Sequence, residues 1–307
     1  MALLRRRIHS LSAPQKQGLL ELCAKDPVNG ISLASQLERW NRWGHGDVVV
    51  LGKPAAPTAG AWTTGSAILM GIAGVDGGEA ASKSELRALA AHCGPRLTRN
   101  GSVMGPAADV EALWPELTAQ GIRSRAERWN QPVLVAPDSV EKYLPQGEKD
   151  WWARELRAAR PDETELVLPA SVAMFHGELG YDPTNSGSSY ARHVGQLASQ
   201  GRTYVLFDDG AGGPALPGGP MSVAFKADVG ALWGNVSQLT GVWTRPDLRG
   251  QGLGSAALAA TVERVRAEHV GPAGVVSLYV NDFNTAARRL YETLGFTQTS
   301  TFATILL

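Results

Sequence analysis

Apolar positions recur along this chain on two periods, and the switches between them divide it into elements. Over residues 14–40 the spacing is helical, with Leu19, Leu22 and Cys23 on one face and Leu33 and Leu37 on a later one. Asp26-Pro27 breaks that run into two helices. Residues 47–51 read as a strand, the Pro/Ala/Gly/Thr-rich residues 53–60 as a hairpin loop, and 61–73 as renewed β pattern. Ser82-Lys83-Ser84-Glu85 predicts a capped helix start, with Leu86, Leu89, Ala90 and Cys93 on its buried face and Gly94-Pro95 at its end. A strand at 101–105, a helix at 107–120 and a strand at 131–136 follow. The charged stretch 138–161 predicts a connector helix whose Trp151-Trp152 pair packs between domains.

The second half opens with a predicted edge strand at 165–169 and two helices, 171–179 and 188–200. A strand pair at 202–208 and 222–231 flanks a loop dense in Gly and Pro. The next β run, residues 236–244, is followed by a helix. That helix has Leu253, Ala257 and Ala260 on one line and Leu258, Val262 and Val265 on the next. Residues 274–280 form a near-continuous apolar strand, as expected where both faces are covered. Phe283, Ala286, Ala287, Leu290, Tyr291 and Leu294 mark the buried face of a last helix stopped by Gly295. Residues 296–307 are β-prone.

At 307 residues the chain exceeds a usual single core, which predicts two domains. The expected division is 1–140, a connector over 141–162, and 163–307. Net charge is zero, from 29 basic and 29 acidic residues, so bulk electrostatics offer nothing to nucleic acid or an anionic membrane. Arg5-Arg6-Arg7 is not followed by the apolar region of a signal peptide, and no run reaches the length of a membrane span. Cys23 and Cys93 read as buried reduced thiols, which implies a cytoplasmic protein. The histidines show no metal spacing, and no metal site is expected. His176-Gly177-Glu178 resembles a deaminase box, but the paired-cysteine motif is missing.

The richest stretch is Val242-Trp243-Thr244-Arg245-Pro246-Asp247-Leu248-Arg249-Gly250-Gln251-Gly252-Leu253-Gly254-Ser255. A strand enters a glycine-rich turn that runs into a helix N-terminus, where unpaired N–H groups and the dipole favour phosphate. Arg249-x-x-Gly252-x-Gly254 resembles the pyrophosphate loop of the GNAT (Gcn5-related) N-acetyltransferases. A second signature, Asn284-x-x-Ala287-x-x-x-Tyr291-x-x-x-Gly295-Phe296, agrees with the same family. The element order of residues 163–307 is similar too. Asp26-Pro27-Val28-Asn29, residues 105–114 and Gln131-Pro132 resemble an uncharacterised domain fused to certain GNAT enzymes. The implied fold class is therefore α/β with mixed sheets, a GNAT fold preceded by a smaller, degenerate GNAT-like domain without a CoA loop.

The resemblance implies acetyl-CoA as cosubstrate and transfer of its acetyl group to a primary amine: a small molecule, a peptide N-terminus or a lysine. Backbone groups of Gly250, Gln251, Gly252, Leu253, Gly254 and Ser255 would wrap the pyrophosphate, with Arg249 adding charge. Val242, Trp243 and Thr244 would pair with the pantetheine arm, and an amide of that strand would hold the developing oxyanion. Asn284 and Asn281 would hydrogen-bond the CoA arm, Asn284 also serving as a helix cap. Tyr291 would protonate the leaving thiolate. The amine, with a pKa of ~10.4, must lose a proton before attack. Gln238 on the central strand cannot take it. Asp228 is the nearest carboxylate, Glu178 the second candidate, and a water chain a third route. Two alternative functions stand beside this one: an acyl-CoA-binding module without turnover, and a small-molecule acetyltransferase similar to mycothiol synthase. Acceptor identity and oligomeric state are not legible.

Overall fold

The computed structural model describes residues 8–147, 151–180, 182–216 and 218–307, so Arg5-Arg6-Arg7 lie outside the described residues. Its first elements are β1 (Ile8–Ser10), α1 (Gln17–Ala24), α2 (Pro27–Arg39), β2 (Val48–Lys53), β3 (Ala56–Trp62), β4 (Ala67–Met70), α3 (Lys83–Cys93), β5 (Ser102–Pro106), α4 (Ala107–Ala119) and β6 (Ala126–Val135). Then come α5 (Trp151–Arg154), β7 (Arg157–Ala158), α6 (Thr164–Leu179), α7 (Ser189–Ser199), β8 (Thr203–Asp208), β9 (Ser222–Trp233) and β10 (Val236–Thr244). The chain ends with α8 (Leu253–Val265), β11 (Val275–Tyr279), α9 (Thr285–Thr293) and β12 (Thr297–Leu306).

Two compact units emerge. The first takes the described residues up to Val133 together with Tyr279–Phe283 and Gln298–Leu307; the second takes Leu134–Leu278 and Asn284–Thr297. The last strand of the chain therefore folds with the first unit, where it lies antiparallel to β5 with Ala303 opposite Gly105.

In the first unit the strands are ordered β1-β2-β3-β4-β5-β12-β6. β1 to β4 run antiparallel, and β4 and β5 are parallel. Local signals set its helices. The Asp26 carboxylate accepts the Asn29 N–H and opens α2 with Pro27 as its first residue. Ser82 and Glu85 cap α3 reciprocally. Leu89, Ala90 and Cys93 of α3 pack with Val110, Leu113, Trp114 and Leu117 of α4 against Leu51, Leu69, Val103, Ala303 and Ile305. The expected hairpin loop at 53–60 is far shorter than its composition suggested. β3 begins at Ala56, and a register shift at Gly52 absorbs the turn. Cys23 and Cys93 are free and buried, and burial pushes both thiols up to about 12.

The second unit orders its strands β11-β10-β9-β8-β7, with β10 and β11 parallel and the other pairs antiparallel. The edge strand expected at 165–169 is helix instead: those residues open α6, and β7 is the edge. Leu166-Val167-Leu168 fits either period, so pattern alone could not decide. Glu163 decides it. Its buried carboxylate accepts the Arg160 N–H at 2.8 Å and both arms of Arg157 at 2.6 and 2.7 Å, closing a turn that leads into the helix. Pro169 sits in the second turn, where it removes a single backbone bond. Nor is 138–161 one connector helix: it contains the 3₁₀ turn Glu141–Tyr143, α5 and β7. Trp151 and Trp152 meet edge to face at 6.4 Å, and Trp152 is buried within this unit, where α5 packs on α8. Two residues expected on the buried face of α9 are exposed: Phe283, at 65%, precedes the cap, and Ala286 lies in the first turn. Ala287, Leu290, Tyr291 and Leu294 carry that face.

Candidate active site

The site is built on β10. Its parallel pairing with β11 runs from Val236↔Val275 to Leu239↔Leu278 and stops there, while β10 continues to Thr244. Residues 240–244 are half-buried, in contrast to the buried Val236–Leu239 segment. On the opposite edge, the pairing with β9 steps from Thr240↔Asp228 to Trp243↔Lys226. Gly241 and Val242 thus face one residue, Ala227, and form a β-bulge. Gly241 has φ +58°, a left-handed geometry that a Cβ would strain. The half-buried Trp243 side chain packs against the cluster that includes Val205, Phe207 and Val223.

After β10, a 3₁₀ turn (Pro246–Leu248) leads to Arg249. The Arg249 Nε donates to the Thr244 carbonyl at 2.9 Å, and Gln251 Nε2 donates to the Asp247 carbonyl at 3.0 Å. These two side chains tie the loop to its own strand. Gly252, at φ +91°, is the residue before α8, and no side chain caps the helix. A Cβ on Gly250 would meet nothing within 4 Å, and one on Gly252 only the Trp152 ring at 4.0 Å. Gly254 is there for close approach: its Cβ would lie 3.0 Å from Thr244 Oγ1. The first turn of α8 carries no acidic residue, while Leu253 is buried as a packing residue. The result is an open, uncapped helix N-terminus whose free N–H groups and dipole suit an anion.

Arg245, which the sequence pattern did not single out, clamps this region. Its guanidinium holds the buried Asp208 carboxylate with two bonds of 2.7 Å, reaches Ser222 Oγ and binds Asp247 at 2.7 Å. The bonds to Asp247 and Asp208 hold its pKa above the usual arginine range, and Arg245 in turn lowers that of Asp247. Arg245 is thus committed to holding the β8–β9 hairpin against the loop. The signal was available, since it follows the strand directly and faces an Asp at the end of β8.

Tyr291 lies on α9, is 6% exposed, and its ring packs at 5.7 Å from Phe296. Asn284 caps α9, its Oδ1 accepting the Ala287 N–H at 3.2 Å. Asn281 falls in the first unit, buried, with Oδ1 accepting from Gln131 Nε2 at 3.0 Å; Gln131 Oε1 accepts from Thr304. The structure therefore gathers Asp228 and Val242 to Ser255 in the second unit with Tyr291 and Asn284, and places Asn281 in the other.

Asp228 sits next to the bulge on β9. Its Oδ1 accepts from Thr203 Oγ1 at 2.8 Å and its Oδ2 from Lys226 Nζ at 2.6 Å. Lys226 is fully buried, and its Nζ also donates to the Gly241 carbonyl at 3.2 Å. Sequence reasoning missed Lys226. The signal was a Lys-x-Asp pair at strand period inside the apolar run Val223–Val229, which puts both charges on one buried face. Gln238 is buried on β10. Glu178 is on α6, and its side chain lies outside the described residues. Among the described residues no His/Cys/Asp/Glu group could hold a metal ion, and no helix is long and apolar enough to cross a membrane.

A parallel strand pair that parts midway, a bulge at the parting, and an uncapped helix behind a glycine turn define the GNAT fold, here preceded by a second α/β unit. Residues 193–296 match the model of the Acetyltransferase (GNAT) family, and residues 65–167 that of a domain of unknown function, DUF4081. Solved structures agree along the whole chain. The tandem GNAT protein from the clavulanic acid biosynthesis pathway, in a form without AcCoA, superposes with a TM-score of 0.57 at 15% identity over 98% of each chain. A GCN5-related N-acetyltransferase from Sphaerobacter thermophilus gives 0.53 at 14% identity, over 99% of this chain and 96% of its own. An acetyltransferase of the GNAT family from Colwellia psychrerythraea gives 0.52 at 11%, over 97% and 98%. No curated protein matches the sequence. Residues 193–296 thus carry the match to the GNAT family, residues 65–167 the match to DUF4081, and the chain shares its fold with GNAT structures, a tandem GNAT protein among them. The family match over residues 193–296 supports acyl transfer in general terms.

Proposed function

We propose that the second unit is an acetyl-CoA-dependent N-acetyltransferase acting on a primary amine. The observation that carries this reading is the continuity of the parted β10 edge with the open, uncapped start of α8. One segment thereby offers hydrogen bonds to an extended amide arm and then to a pyrophosphate. Arg249 adds positive charge beside the loop. In the reaction, the amine nitrogen attacks the thioester carbonyl, the C–N bond forms and the C–S bond breaks. The developing oxyanion is held by the Val242 N–H. Tyr291 gives its proton to the departing thiolate and is reprotonated from solvent. The ammonium sheds one proton to water before attack and the nitrogen a second to water once the C–N bond has formed, while Thr203 and Lys226 engage the Asp228 carboxylate.

Calorimetric titration with acetyl-CoA tests the reading. One equivalent is expected for wild type. Tyr291→Phe is expected to bind equally while kcat for amine acetylation falls about 100-fold. Binding without turnover of any amine in either protein would replace the enzyme by an acyl-CoA-binding module, and no binding would end the reading.

A further inference from the structure

A lysine with 0% exposure inside a β-sheet demands an explanation, because removing an ammonium from water costs several kcal/mol unless its partners repay it. Lys226 is partnered by Asp228 and by the Gly241 carbonyl, and Asp228 is steadied by the fully buried Thr203. The proposed reaction uses neither charge. Their position is specific: a Cβ on Gly241 would stand 2.7 Å from Asp228 Oδ2, 3.0 Å from Lys226 Nζ and 3.2 Å from Met174 Cε. Bulge backbone and ion pair are thus packed in direct contact, and only glycine leaves room for both.

We propose that the Lys226–Asp228 pair is a positioning device that fixes the β10 bulge and so aims the Val242 N–H at the acyl carbonyl. The peptide between Gly241 and Val242 is planar and trans, so its C=O and N–H point in opposite directions. Lys226 Nζ, on the sheet face where Met174 lies, holds the Gly241 carbonyl. The Val242 N–H lies on the opposite side of that peptide plane, on a strand whose pairing with β11 stops at Leu278. A bulge has two residues facing one and no ladder to hold both, so its peptide plane is the softest part of the strand. A buried charge pair supplies the missing restraint, and a donor held in advance of the reaction is worth far more to the oxyanion than one that must reorient. The inference rests on the acetyl-CoA reading of this site.

The test uses the double variant Lys226→Met/Asp228→Asn. It removes the donor to Gly241 without leaving an unpaired buried charge, since the new side-chain amide keeps an acceptor for Thr203. Acetyl-CoA labelled with ¹³C at the thioester carbonyl is bound to each protein, and its isotope-edited infrared band is recorded. Wild type is expected to displace the band to lower frequency than in free acetyl-CoA. The double variant is expected to bind with a Kd within about threefold of wild type, lose the displacement, and lose about 10- to 100-fold in kcat with little change in the KM for the amine. A folded double variant that binds and keeps the displaced band overturns the inference and leaves the acetyl-CoA reading standing. Failure of wild type to bind acetyl-CoA overturns both. Should the double variant not fold, Asp228→Asn alone is measured. It keeps the Thr203 bond and loosens Lys226, so a smaller displacement and about tenfold lower kcat support the pair, and an unchanged band overturns it.

Discussion

Each unit contains a strand of a parallel pair followed by a loop and a helix, β4 into α3 in the first and β10 into α8 in the second, and the two treat the helix start in opposite ways. In the first, Ser82 and the buried Glu85 close the N-terminus of α3 with a reciprocal cap. A second carboxylate, Asp109 of α4, accepts the Ala73 N–H at 2.7 Å, and the backbone N–H groups of Ile72 and Gly71 also favour its charge. In the second, the α8 start has no side-chain cap, no acid in its first turn, and open space over Gly250. The seventh residue after the cap position of the following helix is the buried Leu113 in one unit and Tyr291 in the other. One topology has thus internalised its anions, while the other leaves its helix start without a carboxylate of its own. A glycine-rich loop alone does not make an anion site; the loop must also be left without the protein's own carboxylates.

The strongest way to break this contrast is through Asp109. Burial, only partly offset by the Ala73, Ile72 and Gly71 N–H groups, pushes its pKa up from 3.8 to about 6. An acid whose folded pKa is raised takes up a proton on folding. Its favourable contribution is complete below pH 3.8 and is lost as the pH rises through about 6. Asp109→Asn removes that titration. Relative to wild type, the variant should gain about 3 kcal/mol of stability between pH 4 and pH 7, read by denaturant unfolding at each pH. Parallel stability–pH curves for the two proteins would show that burial does not penalise the Asp109 carboxylate.

Converting the second unit toward the first should have the next largest effect. Ser255 stands at the helix position that Glu85 occupies in α3, three residues past the residue before the helix. Ser255→Glu places a carboxylate on the α8 N-terminus and should weaken acetyl-CoA binding about 30-fold, ~2 kcal/mol, by competing for the donors and repelling the pyrophosphate. Helix stability should hold or rise slightly, since an acid there suits the dipole. A Kd equal to wild type by calorimetry would place the anion elsewhere than on α8.

What could be read in advance follows the range of each interaction. The α3 cap, the Asp26-Pro27 break and the glycine loop are local, written within a few residues, and the structure has them where the pattern put them. The pairing of β12 with β5 joins segments nearly two hundred residues apart and leaves no trace in either strand's alternation. Residues 165–169 misled because an apolar triplet carries no period, and the deciding contact came from Glu163 and Arg157 outside it. Phe283 looked like core because it is large and apolar, but it precedes the Asn284 cap and so never joins the helical stripe. In the site, the loop was legible by motif. Lys226 was missed, because the Lys-x-Asp pair gains its meaning only once the Asp228 and Gly241 contacts are seen in space.

The smallest expected effect separates two uses of one side chain. Asn284 Oδ1 caps α9 through the Ala287 N–H, a role its sequence position predicts regardless of any ligand, and the amide nitrogen is the group a CoA arm would engage. Pro106, at the matching position before α4, provides no side-chain cap, so the first unit shows that such a helix forms without one. Asn284→Asp keeps an acceptor of equal capping strength and removes the N–H donor. Its Tm should match wild type while the Kd for acetyl-CoA rises about two- to tenfold, the worth of one hydrogen bond. Asn284→Ala should lower Tm as well, because the cap is worth ~1 kcal/mol. If the Asp variant binds as tightly as wild type, Asn284 is a cap only, and ligand recognition in the second unit contracts to the β10 edge, the glycine loop and Tyr291.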